Sequence, residues 1–554
     1  MTPRRIFGAI SRRLRQPGVL ARAVVRRGMV VPYRALRARL VELTLRARRS
    51  DWLAVPGHGV IHAPESAFLA TDAPPGDISV VSAMHANLDE VVRVLSESDL
   101  ECWLTPNESI NRYQVGVRER DRGKVLAALR QGAGVDVHAW FRHHGRNRAV
   151  LARRIPSTDA ETIRVFRVRR LSPTVYYGVL HGCDIHFWFN DESGAGVRSP
   201  AANAFGSHLC GDELAPTEIE VRGERYRTVA AFARRHVDDV AFPIDFVYTW
   251  VDGADPAWQA RRADVLRAHD LPVAADAHDT ARFLDREELR YSLRSVAMFA
   301  DFGRHIYLVT DQQVPEWLRT DHPGITVVDH REIFGPDAVL PTFNSHAIES
   351  RLHHIEGLSE HYLYMNDDVM FSRRVAPATF FWPNGQSKFF LSRAQIPLGP
   401  PSRLDAAVDA AAKNNRRLIA EHFGVTITQK MKHTPHPQRR SLHFEMEERF
   451  PKETQRVAAS QVRGPEDHSI ASSLHHWYGY LTDRAMPGSI RYRYLDLSAW
   501  QLAYRLDETL RTRNFDTFCL NDTSAAEVDA VRQLELVTRF LDTYFPSPSP
   551  YEIV

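Results

Sequence analysis

The sequence predicts an α/β protein in which a mostly parallel sheet covered by helices is preceded by a separate α+β domain and followed by a helical C-terminal part. Three observations carry this. Between residues 244 and 371, apolar strand-like runs at 244–251, 305–310, 325–329 and 362–366 alternate with amphipathic helical patterns near 285–299 and 346–358, which is the rhythm of a Rossmann-like sheet. Residues 77–221 follow a different order, with strands clustered around two helical stretches. A chain of 554 residues also exceeds what one hydrophobic core usually serves. The expected divisions are a basic leader (1–50), an α+β domain (51–240), a donor-binding α/β half (241–400) and a helical half (401–554).

The leader holds fourteen arginines, no lysine and a single acid, Glu42, a charge of +13 within a chain of +3, so the remainder is near −10. A basic segment on a mildly acidic body suggests local contact with an anionic surface and no nucleic-acid partner. Leu36, Leu40, Leu43 and Leu45 beside Arg37, Arg39, Arg46 and Arg48 suit a helix lying on a membrane face, packed on its own protein, or partly disordered. No run of eighteen apolar residues exists, so neither a spanning helix nor a signal-peptide core is expected. The expected location is the cytoplasm, with peripheral contact at the inner face of the membrane through residues 1–50.

In the second domain, Ile78-Ser79-Val80-Val81, residues 88–95, Cys102-Trp103-Leu104, residues 113–117 and residues 125–129 read as β-α-β-β-α, with further strands at 162–168, 175–180, 185–189 and 219–221. His181, Cys183, Asp184 and His186 are read there as packing and hydrogen-bonding residues. Cys102, Cys183, Cys210 and Cys519 lack paired metal-ligand spacing and are expected to be buried, reduced thiols.

The chemistry-bearing residues gather in the C-terminal half. Asp252-Gly253 closes the first strand of the parallel sheet and Asn366-Asp367-Asp368 closes the last, and ligands of open α/β sheets gather at strand carboxyl ends. Adjacent carboxylates such as Asp367 and Asp368 suit Mg²⁺ or Mn²⁺, which prefer oxygen donors. Asn-Asp-Asp is also an ordinary turn sequence. Arg290 and Arg294 lie one helical turn apart, able to fork onto phosphate or to pair with Glu287 or Asp301. Glu349 is a base, a ligand or a partner for Arg351. Two prolines hold His433-Thr434-Pro435-His436-Pro437 out of a helix before a helical run at 438–450, which leaves His433 on an ordered loop, either suited to proton transfer or a surface histidine with no role. Asp467 has the position of a helix N-cap, and Arg463 just outside that helix is placed to face an anion.

At these residues the chain resembles the Stealth family of hexose-1-phosphate transferases, which includes bacterial capsule and exopolysaccharide phosphotransferases. The resemblance spans about residues 243–545 and rests on residues 244–253; on residues 288–295, 306–310 and 364–368 with Ala347-Ile348-Glu349-Ser350; on Lys432 to His436 with Arg440; and on Val462-Arg463 with Glu466-Asp467, followed by Phe518-Cys519-Leu520-Asn521-Asp522. It implies Glu349, Asp368, His433 and Arg463 as the catalytic set, with Asp252 and Arg290, alongside Trp250 and Asn366, in the donor region. The expected function is transfer of a sugar-1-phosphate from a nucleotide-diphosphate sugar, a uridine diphosphate hexose or N-acetylhexosamine, to a hydroxyl of a glycan acceptor. The rival readings are a metal-dependent glycosyltransferase using the same donor and a non-enzymatic adaptor for anionic surfaces.

Overall fold

The computed structural model describes residues 58–553 except 63–66, 75, 107–108, 173, 272–285, 336–337, 403 and 522–529. The arginine-rich leader and Asp522 therefore lie outside the described residues. The fold is mixed α/β. Its N-terminal part is built on an eight-stranded sheet in which Tyr113–Arg118 and Cys183–Asn190 run parallel. Leu88, Val91 and Leu95 of the helix Val80–Glu97 pack with Val115 and Ile185 of that sheet. Ile78-Ser79-Val80-Val81 is not the expected strand. Ser79 Oγ accepts the N–H groups of Val81 and Ser82, so this segment caps and starts the helix instead.

The second sheet comprises β1 (Ile244–Thr249), β2 (Ile306–Thr310), β3 (Ile325–Asp329), β4 (His361–Asn366) and β5 (His436–Arg439). Its order is β3-β2-β1-β4-β5. The first four strands are parallel, and β5 runs antiparallel to β4. β1 is buried apart from its last residue, as a strand covered on both faces must be. Asp245 tolerates this position because Arg304 grips it at 2.8 and 2.6 Å and Ser359 N–H donates at 2.7 Å. It lies at the amino end of β1, opposite the edge where ligands gather.

Residues 436–439 form a strand where a helical run from 438 was expected. Pro437 is accepted because β5 is the edge strand, where a missing N–H is tolerated. The helix expected over 346–358 is broken in two, Ser345–Glu349 and a 3₁₀ turn Leu352–His354. Ser350 Oγ donates back to the Ala347 carbonyl at 2.7 Å, competing with the helical ladder.

The C-terminal part, expected to be helical, also contains a sheet. Val369–Phe371, the continuation of β4 beyond the Asp367-Asp368 turn, pairs with Thr517–Asn521, which pairs in turn with Tyr492–Asp496. The four cysteines are free, and Cys210 is exposed where burial was expected. Among the described residues no helix is long and apolar enough to cross a membrane.

Candidate active site

The chain runs from β1 outward to β2 and β3, then returns to place β4 on the other side of β1. Connections diverge between β1 and β4, so the crevice of this sheet opens beyond their carboxyl ends. Thr249 and Asn366 are register partners there. Hence Trp250-Val251-Asp252 and Asp367-Asp368 leave the sheet side by side.

Asp252 is held by its backbone: Gln313 accepts its N–H and donates to its carbonyl, both at 3.0 Å. Its Oδ1 accepts the Ala254 N–H at 2.8 Å. Trp250 is buried in the main core. Val251 joins Trp258, Val265, Phe343 and Val462 in a small apolar cluster, which draws the Arg463 loop to this edge.

Asp368 and His433 meet directly, His433 Nε2 lying 2.9 and 3.1 Å from the two carboxylate oxygens. Asn521 Nδ2 approaches the same carboxylate at 3.5 Å, placed there because Leu520 N–H donates to the Asp368 carbonyl. Burial alone would lower the His433 pKa. The charge of Asp368, its hydrogen bond and the charge of Glu349 outweigh it, so the net shift is upward.

Glu349 closes the short helix Ser345–Glu349 and is buried, its Oε2 accepting from Ser472 Oγ at 2.8 Å. It is not the partner of Arg351, which pairs with Glu447. Tyr364 of β4 adjoins Glu349, and its hydroxyl lies 3.3 Å from Thr249 Oγ1. Burial first, then the charges of Glu349 and Asp367, push its pKa well upward, so it stays a neutral phenol. At the other end of the Glu349 helix, Arg463 Nη2 donates to Ser345 Oγ at 2.6 Å. Four residues of helix separate these ends by about 6 Å.

Asp467 does not cap the helical segment Ile470–Leu474, whose N-cap is Ser469. Its carboxylate instead accepts from Asn344 Nδ2 at 2.9 Å and Gly464 N–H at 3.0 Å, with His346 Nδ1 at 3.4 Å. This network ties the Arg463 loop to the start of the Glu349 helix. The structure thus joins Asp368 to His433 within reach of the Glu349 charge, sets Asp252, Asn366 and Asp367 at the ends of neighbouring strands, and fixes Arg463 to the start of the Glu349 helix.

Arg290 is engaged differently. Its Nε donates to Glu552 at 2.6 Å and its Nη1 lies 3.3 Å from Glu287. Arg294 donates to the same Glu552 at 2.8 and 2.7 Å. Of the two readings of these arginines the structure shows pairing: Arg290 meets Glu287 as the sequence allowed, Asp301 pairs with Arg222 instead, and Glu552 joins both arginines in a carboxylate anchor. Tyr364, Ser472 and Ser345 were missed as site residues because an isolated hydroxyl carries no spacing signal.

Four stretches match the descriptions Stealth protein CR1, CR2, CR3 and CR4, conserved regions 1 to 4, over residues 242–270, 282–389, 432–480 and 507–554. Two exopolysaccharide phosphotransferases of Streptomyces coelicolor are each 43% identical to this chain, over 86% of its length and over 52% and 83% of theirs. The exopolysaccharide phosphotransferase CpsY of Mycobacterium tuberculosis is 39% identical over 71% of this chain and 74% of its own. A crystal structure of the galactosyltransferase LgtC with donor and acceptor sugar analogs covers 55% of this chain and 96% of its own at 11% identity, with a TM-score of 0.28, too remote to bear on the fold. These relatives and the family match define a transferase enzyme. The chain belongs to the Stealth protein family.

Proposed function

We propose that the enzyme moves a sugar-1-phosphate from a nucleotide-diphosphate sugar, a uridine diphosphate hexose or N-acetylhexosamine, onto a hydroxyl of a glycan acceptor, forming a phosphodiester in exopolysaccharide or capsule synthesis. The names of its relatives support the reaction class. The observation that carries it to these residues is the Asp368–His433 couple at the crevice between β1 and β4, with Arg463 and Glu349 at the two ends of one helical turn beside it.

Asp368, an acceptor when ionised, keeps the imidazole proton on Nε2 and leaves Nδ1 of His433 to take the proton of the acceptor hydroxyl. The freed oxygen attacks the β-phosphorus, the bond to the bridging oxygen of the pyrophosphate breaks, and nucleoside monophosphate leaves with the electron pair. The sugar's anomeric bond is untouched. Arg463 stabilises charge on the phosphoryl oxygens, a task for which its planar fork suits it. Glu349 supports the charge balance around His433.

Mg²⁺ or Mn²⁺ would neutralise diphosphate charge when bound. A hard cation keeps water and phosphate ligands and needs only one or two carboxylates from the protein. The oxygen donors Asp367 and Asp252 fit that demand, whereas Asp368 has turned both oxygens to His433. The deciding experiment uses donor labelled at the β-phosphorus. Label passing to the acceptor supports this reaction, and label retained in nucleoside diphosphate indicates an ordinary glycosyltransferase and rejects it.

A further inference from the structure

A second group of ligating side chains lies apart from the cleft. His353 and His354 occupy the 3₁₀ turn Leu352–His354, and Glu447 faces them from the helix Arg440–Arg449. The turn is rigidly framed, since the Arg440 guanidinium donates to the carbonyls of His353, Leu358 and Ile355 at 2.8, 3.1 and 3.3 Å. We propose that His353, His354 and Glu447 bind a divalent cation of the zinc class, and that this ion fastens the turn following the Glu349 helix to the helix Arg440–Arg449.

Geometry supports it first. One ligating atom from each of the three residues lies within 4.8 Å of the others. His353 Nε2 is 3.1 Å and His354 Nε2 3.2 Å from Glu447 Oε1. Ligands at tetrahedral zinc distances of 2.0–2.2 Å stand about 3.3 Å apart, so the spacing already suits one shared ion.

The second observation is a poorly satisfied imidazole. His353 is 1% exposed, its Nδ1 has no hydrogen-bond partner, and its Nε2 meets Glu447 Oε1 at 3.1 Å in poor hydrogen-bond geometry. Buried polar atoms left in that state are rare and unfavourable. A cation between the ring and the carboxylate would satisfy Nε2.

The donor set chooses the ion. Two imidazoles and one carboxylate suit zinc and its borderline neighbours, whereas magnesium favours oxygen. His354 and Glu447 are 28% and 22% exposed, which gives the ion access and leaves room for water as a fourth ligand. Arg351 also bonds Glu447 Oε1, orienting the carboxylate and leaving Oε2 toward His354 at 3.2 Å.

The position explains what such an ion does. The His353 ring stacks on His443 at 5.0 Å, and His443 stacks on His475 at 4.7 Å. His475 adjoins His476, which bonds His436 of β5 at 3.1 Å. Fixing His353 therefore fixes one end of a packed row of rings that reaches the edge strand next to His433.

The test uses untagged full-length protein. After dialysis, metal analysis should find about one zinc per chain, and cobalt added to EDTA-treated protein should give the visible absorption of a tetrahedral site. His354→Gln and Glu447→Gln should each weaken cobalt binding by at least about tenfold. Absence of both bound zinc and a cobalt spectrum in folded wild type overturns the proposal. So does unchanged affinity in both variants, with circular dichroism used to verify folding. Because the readout is metal content, it is independent of whether the phosphotransfer reading stands.

Discussion

Asp368 presents both carboxylate oxygens to one nitrogen of His433, at 2.9 and 3.1 Å, across 65 residues of sequence. This relationship sets the protonation behaviour of the proposed base. His433 titrates above its ordinary 6.5, so turnover should rise with pH through a value above 6.5 as the ring becomes neutral. Replacing Asp368 with Asn removes the raising charge and should move that limb to lower pH. His433→Gln should lower turnover by about 10²- to 10⁴-fold. A pH profile of kcat/KM that is the same in wild type and Asp368→Asn would remove the couple from the mechanism.

Arg463→Lys retains the charge but not the fork. Loss of one preorganised donor of this kind costs about 3 kcal/mol, so turnover should fall by about 10²-fold or more. Ser345→Ala, which removes only the hydroxyl that receives Arg463 Nη2, should have a smaller effect. Steady-state kinetics of the two variants check the order, and near-normal turnover in Arg463→Lys ends the clamp role.

Glu349→Gln keeps size and the bond from Ser472 while removing the charge that helps raise the His433 pKa. Turnover should drop and its pH limb shift downward, with little change in melting temperature. If stability collapses while per-molecule turnover stays at wild-type level, Glu349 serves the fold and not the reaction.

Glu552 receives Arg290, Arg294 and the Ser549 N–H, with its side chain fully buried. Glu552→Gln leaves Arg294 buried and uncompensated, so about 3–5 kcal/mol of stability should be lost near pH 7. Burial would raise the Glu552 pKa, but Arg294, the Ser549 N–H and Arg290 hold it below its ordinary 4.5. A depressed carboxyl contributes stability above its unfolded value and loses it as pH falls through the folded value. The gap between wild type and variant in denaturant unfolding should therefore narrow below pH 4.5. Equal midpoints at pH 7 would contradict the anchor.

Much of the parallel sheet was legible because fully buried strands write continuous apolar runs, as in residues 306–309 and 362–365. Local competition was harder to read. Ser79 turned an apolar run into a helix start, Ser350 cut a helix short, and Pro437 entered a strand because that strand is an edge. Each outcome depended on a hydrogen bond or a neighbour that periodicity does not encode.

The sequence alone determined the alternation of strands and helices, the acidic residues at strand ends and the ordered motifs that the family shares, because these follow from local pattern and covalent order. Only the tertiary structure decided that Arg290 turns to Glu552, that Asp467 braces Asn344 and His346 rather than capping a helix, and that Glu447 faces His353 and His354. A charged or polar side chain takes whichever partner the folded chain brings within a few ångströms. For these residues that partner lies 93 to 262 positions away.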